Sequence, residues 1–184
     1  MGTFTYLKNF LKDKDVASVT PTSKTCIKKV CRHIDFSRDI TVVEYGAGTG
    51  VFSTYMLDQM TPGSRLILFE TNSDFFEELQ EIDDRRVELY QQSVEHVIDL
   101  LDESLHEGVD YIVSGIPFSF LDNDETVSVL KQSRQLLKKG GFFLAYQTSG
   151  HLKDPLKEVF DRLETEFVLF NIPPMLVYKA AKEA

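Results

Sequence analysis

Several things are missing from this sequence, and each absence narrows what the chain can be. No apolar run approaches the ~18–20 residues that cross a bilayer as a helix, so no membrane span is expected. The opening residues hold no secretory apolar region or cleavage site, so a cytoplasmic location is expected. Only two cysteines are present, Cys26 and Cys31. They stand five apart and form no Cys-x-x-Cys pair, so neither a metal centre nor a disulfide is expected. No repeat, linker or low-complexity tract interrupts the 184 residues. One domain over 1–184 is therefore expected, with a helical arm over 1–38 and a core over 39–184.

Positive charge is also short, with 20 Lys and Arg against 29 Asp and Glu for a net charge of −9. The deficit is uneven. Residues 1–40 hold eight basic and four acidic side chains, a net +4, and the remainder holds 12 and 25, a net −13. Such a body is a poor platform for a phosphate backbone, so nucleic acid is not an expected partner. The basic arm suits an anionic surface. Phe4, Leu7, Phe10 and Leu11 recur at helical spacing, with Lys8, Lys12 and Lys14 among or beyond them. Residues 4–14 read either as a membrane-surface helix, placing the protein peripherally at the inner membrane face, or as a lid packed on the domain. Pro21, Thr22 and Ser23 signal the start of a second helix, about Lys24 to Ile34.

What is present centres on residues 40–57. Ile40 to Val43 is an apolar, β-branched run that reads as a buried parallel strand. Gly46, Gly48 and Gly50 let the chain turn sharply, and Val51 to Leu57 continue at helical spacing. Strand, glycine loop and helix start make a nucleotide-binding corner. The dinucleotide pattern G-x-G-x-x-G needs a third glycine where this chain has Val51. Glu44 stands just before the loop, where a carboxylate repels a pyrophosphate but attracts an ammonium. S-adenosylmethionine carries an ammonium, a sulfonium and no phosphate.

The run Glu44-Tyr45-Gly46-Ala47-Gly48-Thr49-Gly50 resembles the first motif of class I S-adenosylmethionine-dependent methyltransferases. The resemblance implies an α/β, Rossmann-like fold. Its sheet has seven strands in the order three-two-one-four-five-seven-six, with the last antiparallel, and N-terminal helices precede it. The chain carries five strand–helix units, one more helix about Leu156, Val159, Phe160 and Leu163, and a terminal hairpin around Pro173-Pro174. In this reading the long helix capped by Asp122 runs to Lys138-Lys139, with Gly140 as its C-cap. The last two strands are 167–172 and 176–179.

The same resemblance implies S-adenosylmethionine against Glu44, Tyr45, Gly46, Gly48, Thr49 and Gly50. Glu70 ends the second strand 20 residues after Gly50, the spacing at which a carboxylate meets ribose hydroxyls; Thr71 follows it. Gln92 and Ser93 stand where the family often has Gly-Asp against adenine, and either can hydrogen-bond the base. Ser114 and Gly115 follow the fourth strand at the topological switch. No metal is implied.

Two subfamilies resemble the chain further. Bacterial phospholipid N-methyltransferases share a basic amphipathic start, a small Ser/Thr-Pro element and a segment like Ser114-Gly115-Ile116-Pro117. Ribosomal RNA adenine dimethyltransferases share Ile116-Pro117-Phe118 but have Asn where this chain has Gly115. The favoured reading is methylation of a phospholipid head group or another small amine. The alternatives are an rRNA adenine methyltransferase-like enzyme or a cofactor-binding protein with another acceptor. Tyr146 and His151 are candidates to relay the acceptor's proton; the competing reading makes Tyr146 a wall residue, with the proton leaving through water. Tyr45, Phe118, Phe120 and Tyr146 are candidates for an aromatic wall around a methylated ammonium, or ordinary core residues.

Overall fold

The computed structural model describes residues 23–101, 105, 108–169 and 173–183. The proposed helix over 4–14, the Pro21-Thr22 start signal and residues 170–172 of the terminal hairpin lie outside the described residues.

Apolar runs with β-branched residues form the strands at the centre. Thr41–Tyr45 is β1, Arg65–Phe69 is β2, Val87–Tyr90 is β3 and Val109–Ser114 is β4. Leu137–Gln147 is β5, Arg162–Val168 is β6 and Met175–Ala181 is β7. They make one sheet in the order β3-β2-β1-β4-β5-β7-β6. Neighbours pair parallel except at β7, which runs antiparallel to both β5 and β6. The chain thus folds as the class I methyltransferase plan.

Helices cover both faces. Lys24–Cys31 is α1, Val51–Gln59 is α2, Ser73–Leu79 is α3, Val97–Leu100 is α4, Asn123–Leu136 is α5 and Lys153–Val159 is α6. On one face Ile27 and Val30 of α1, Phe52 and Met56 of α2 and Leu79 of α3 pack on Val42, Leu66, Leu68 and Val113. On the other, Val97, Leu130, Leu136 and Leu156 pack on Val43, Ile67, Ile112 and Phe143. Each strand contributes alternate residues to the two layers, so Glu44 and Tyr45 point in opposite directions.

Several boundaries differ from the sequence reading. The helix from Asp122 has the expected start, a capping box in which the Asp122 side chain accepts from Glu125 N–H and Glu125 reaches back to Asp122 N–H. It ends at Leu136, however, not at Lys139. Leu137 is buried and pairs with Val109, and the Lys138 ammonium bonds the buried Asp110 carboxylate at 3.1 Å. Gly140, at φ 80°, lies inside β5 and caps no helix. The sixth helix likewise stops at Val159. Leu163 belongs to β6, which starts five residues earlier than expected. Arg162, Glu164 and Glu166 alternate with Leu163, Thr165 and Phe167 there, the pattern of an edge strand with one polar face. Glu166 on that face is gripped by α1: Arg32 bonds it directly, and the Lys29 ammonium is 3.6 Å away.

Candidate active site

The carboxyl ends of β1, β2 and β4 and the loop Gly46–Gly50 form the site. Gly46, Gly48 and Gly50 all have positive φ, at 72°, 55° and 73°. At Gly50 a β-carbon would also lie 2.9 Å from Leu79 Cδ2, the tip of a side chain that would have to shift, so the positive φ is the stronger demand for glycine there. Gly48 faces open space, with nothing within 4 Å of where a β-carbon would stand. The loop therefore presents bare backbone to a ligand.

Four of the loop's five N–H groups are already committed. Gly46 N and Ala47 N donate to Phe69 O at 2.8 and 3.3 Å, and Gly50 N donates to Ala47 O at 3.0 Å. Gly48 N donates to Glu70 Oε2 at 2.8 Å. The other Glu70 oxygen accepts from Thr71 N at 2.7 Å and Asn72 N at 2.8 Å. Glu70 thus ties the glycine loop to the start of α3. Burial pushes its pKa up against the pull of these three donors. A carboxylate offers about four lone-pair sites, so one acceptor site remains free. The expected two-hydroxyl ribose contact requires a backbone donor to let go.

Glu44 is 1% exposed and faces α2, where the Ser53 hydroxyl donates to its Oε2 at 2.6 Å. Burial, reinforced by the negative charge of Glu70, raises its pKa to about 8 despite the Ser53 bond. Two buried acids therefore flank the loop. As carboxylates the pair accepts from a ligand bearing hydroxyls and an ammonium, whose positive charge would favour the ionised form of Glu44, and opposes one bearing phosphates. The residues present fit S-adenosylmethionine.

The remaining predicted site residues divide. Thr49 is exposed on the loop, Thr71 is half-buried beside Glu70, and Gln92 and Ser93 follow β3, exposed and half-buried. Tyr45 is corrected: its ring is fully buried on the α5 face, edge-on to Phe69 and Phe143, with its hydroxyl 3.2 Å from Ser133 Oγ. Its carbonyl is taken by Gly115 N at 2.9 Å. Ser114 is also fully buried on that face, and its hydroxyl has no partner among the described residues. Phe118 is buried edge-on to Phe143, so it belongs to the core and not to a ligand wall. His151 sits exposed on the turn after β5, its Nδ1 3.1 Å from Ser149 Oγ, apart from the Tyr146 cluster. Tyr146 does reach the site: its ring stacks on Phe52 with centroids 4.6 Å apart.

Three side chains here escaped the sequence reading. Ser53 holds Glu44, Phe52 holds Tyr146, and Gln147 secures the loop after β4. The Gln147 amide donates to Ile116 O at 2.7 Å and Tyr146 O at 2.9 Å and accepts from Phe118 N. Strand and helix alternation around Glu44 and Tyr146 was the available signal for Ser53 and Phe52.

Comparison with known proteins gives the family and agrees with the fold. The methyltransferase-domain family matches residues 43–143, from β1 into β5. The chain belongs to that family and is an S-adenosylmethionine-dependent methyltransferase. Ornithine lipid N-methyltransferase of Singulisphaera acidiphila is 26% identical over 179 residues, covering 95% of this chain and 93% of the relative. Among solved structures, N-methyltransferase NodS from Bradyrhizobium japonicum WM9, in complex with S-adenosyl-L-homocysteine, superposes with a TM-score of 0.72 at 12% identity, covering all of both chains. Magnesium protoporphyrin IX methyltransferase from Synechocystis PCC 6803 gives 0.72 at 8% identity, covering 99% of this chain and 98% of that one. These two show a shared fold.

Proposed function

We propose that the chain N-methylates an amine on a lipid head group, of the phosphatidylethanolamine or amino-acid-lipid kind. The similarity to the ornithine lipid N-methyltransferase, running over 95% of this chain, carries this reading. Gly115 supports it, because a residue without a side chain cannot supply the amide that the adenine dimethyltransferases use on a base.

In this reading Glu44 receives the ammonium of the methyl donor, Glu70 a ribose hydroxyl, and Gln92 or Ser93 the adenine. The bound sulfonium supplies the methyl group: the amine lone pair forms the new N–C bond while the C–S pair stays on sulfur, and the amine's proton leaves to water. Alignment supplies most of the acceleration. Residues 4–14 hold the protein at an anionic membrane face, and no helix among the described residues is long and apolar enough to cross a bilayer.

The test is incubation with methyl-labelled cofactor and separate pools of amine lipid, ribosomal RNA and soluble amines. Label is expected in the amine lipid. Faster labelling of RNA overturns the reading. Deleting residues 1–14 should abolish cosedimentation with anionic vesicles at low salt and leave S-adenosylhomocysteine binding intact.

A further inference from the structure

Gly115 and Tyr146 share one space. A β-carbon on Gly115 would collide with the Tyr146 hydroxyl, lie 3.0 Å from its Cζ and lie 3.3 Å from Gly46 O. Only glycine at this position lets the phenol extend over the loop after β4, where that loop meets the glycine loop of β1. The ring is fixed there. Phe52 stacks on it at an interplanar angle of 13°, and the Gly115 backbone crowds its hydroxyl end. The hydroxyl itself has no hydrogen-bond partner among the described residues. Tyr146 is only partly buried, so water can satisfy the hydroxyl in the free protein, and a rigidly held phenol where the two loops meet can exchange that water for a ligand atom. Burial, with the negative charge of Glu44 behind it, holds its pKa well above the ordinary tyrosine range, so the phenol keeps its own proton.

We propose that the Tyr146 hydroxyl orients the acceptor nitrogen, and that Gly115 exists to admit it. The inference rests on the amine-methylating reading above. The phenol oxygen accepts a hydrogen bond from an acceptor N–H, which fixes the direction of the nitrogen lone pair. Tyr146 takes no proton; that leaves to water. One acceptor oxygen suffices for a tetrahedral alkyl amine. A planar nucleobase amine needs the amide that position 115 lacks. Alkyl-amine specificity is thus written into the Gly115–Tyr146 pair.

Tyr146→Phe tests this, since it keeps the ring and the Phe52 stack. Calorimetry should give S-adenosylhomocysteine affinity within about twofold of wild type. Binding of a short-chain phosphatidylethanolamine to the S-adenosylhomocysteine-loaded protein should weaken about tenfold, the scale of one lost hydrogen bond to a charged or desolvated group. Transfer kcat/KM should fall at least as far, and its pH profile should keep its inflections. Wild-type acceptor binding and transfer in Tyr146→Phe overturns the proposal. So does a lost inflection, which would make Tyr146 the proton acceptor, and so does a parallel loss of S-adenosylhomocysteine affinity, which would make it a cofactor residue. A wild-type protein that transfers methyl to no amine lipid overturns the functional reading itself, and this inference with it.

Discussion

Burial of Glu44 makes a measurable demand on stability. The folded protein holds its proton to about pH 8, against an ordinary value of 4.5. Between those values the folded state binds a proton that the unfolded chain has released, so stability falls as pH rises through the window and levels off above pH 8. At about 1.36 kcal/mol per unit the whole shift corresponds to at most about 5 kcal/mol. Local relaxation and water entry bring the expected figure to about 2–5 kcal/mol. Glu44→Gln keeps the shape, and its amide oxygen can still accept from Ser53, but it cannot ionise. At pH 5 the variant and wild type should melt alike in urea. At pH 8.5 the variant should be more stable by that amount. Distant titrating groups act on both proteins and cancel in the difference, whereas Glu70, whose charge raises the Glu44 pKa, is coupled to the substituted site. The gain should come with a loss of S-adenosylhomocysteine affinity at pH 8.5, about tenfold or more, because in the proposed reading the ligand's ammonium meets the ionised Glu44 carboxylate, which a neutral amide does not replace. Parallel stability curves for the two proteins from pH 5 to 9 would refute the argument, since Glu44 would then be no more buried in effect than a surface acid.

Two further perturbations probe the same corner. Glu70→Ala strands the N–H groups of Gly48, Thr71 and Asn72 and should cost about 2–4 kcal/mol in urea melts, as well as lowering S-adenosylhomocysteine affinity, since each stranded buried donor costs about 1–3 kcal/mol before partial rehydration. A folded Glu70→Ala protein within about 0.5 kcal/mol of wild type would show that these bonds contribute nothing net. Gly115→Ala should destabilise by about 1–3 kcal/mol through overpacking, and less when Tyr146 is already Phe. Strict additivity of the two changes would mean that the Tyr146 hydroxyl does not occupy that space.

Local signals determined most of what could be read before the fold was known. The β-branched run of β1, the glycines after it and the Asp122 cap each act over a few residues. The errors arose where distant residues decide. Lys138 looks like the end of a helix until Asp110, 28 residues away, draws it into β5. Leu163 looks like the end of the sixth helix until the strand it belongs to is anchored by Arg32 and Lys29, which meet Glu166 across 134 and 137 positions of chain. Tyr45 is a different case. Alternation along β1 forbids the Glu44 and Tyr45 side chains from facing the same ligand, although the glycine motif includes both. The pairing of Gly115 with Tyr146 had no sequence signal, because a glycine gives no hint of which side chain fills the space beside it.

The loop geometry also explains why three glycines in this spacing need not bind phosphate. A phosphate cradle works by pointing several unpaired backbone N–H groups at one anion. Here Phe69 O, Ala47 O and Glu70 Oε2 take four of those groups. The positive end that a helix start would offer is answered by Glu44, bonded to Ser53 in the first turn of α2. The glycines are retained for the backbone path and for the bare surface at Gly48, not for their donors. Glu70 is part of that arrangement on two counts: it consumes the donor of Gly48 and keeps one acceptor site unfilled. A ligand that offers a hydroxyl there completes the carboxylate's set of partners, whereas a phosphate would set anion against anion. In the proposed reading the same corner of the fold serves an ammonium and a ribose instead of an anion, and the change resides in two carboxylates, Glu44 and Glu70.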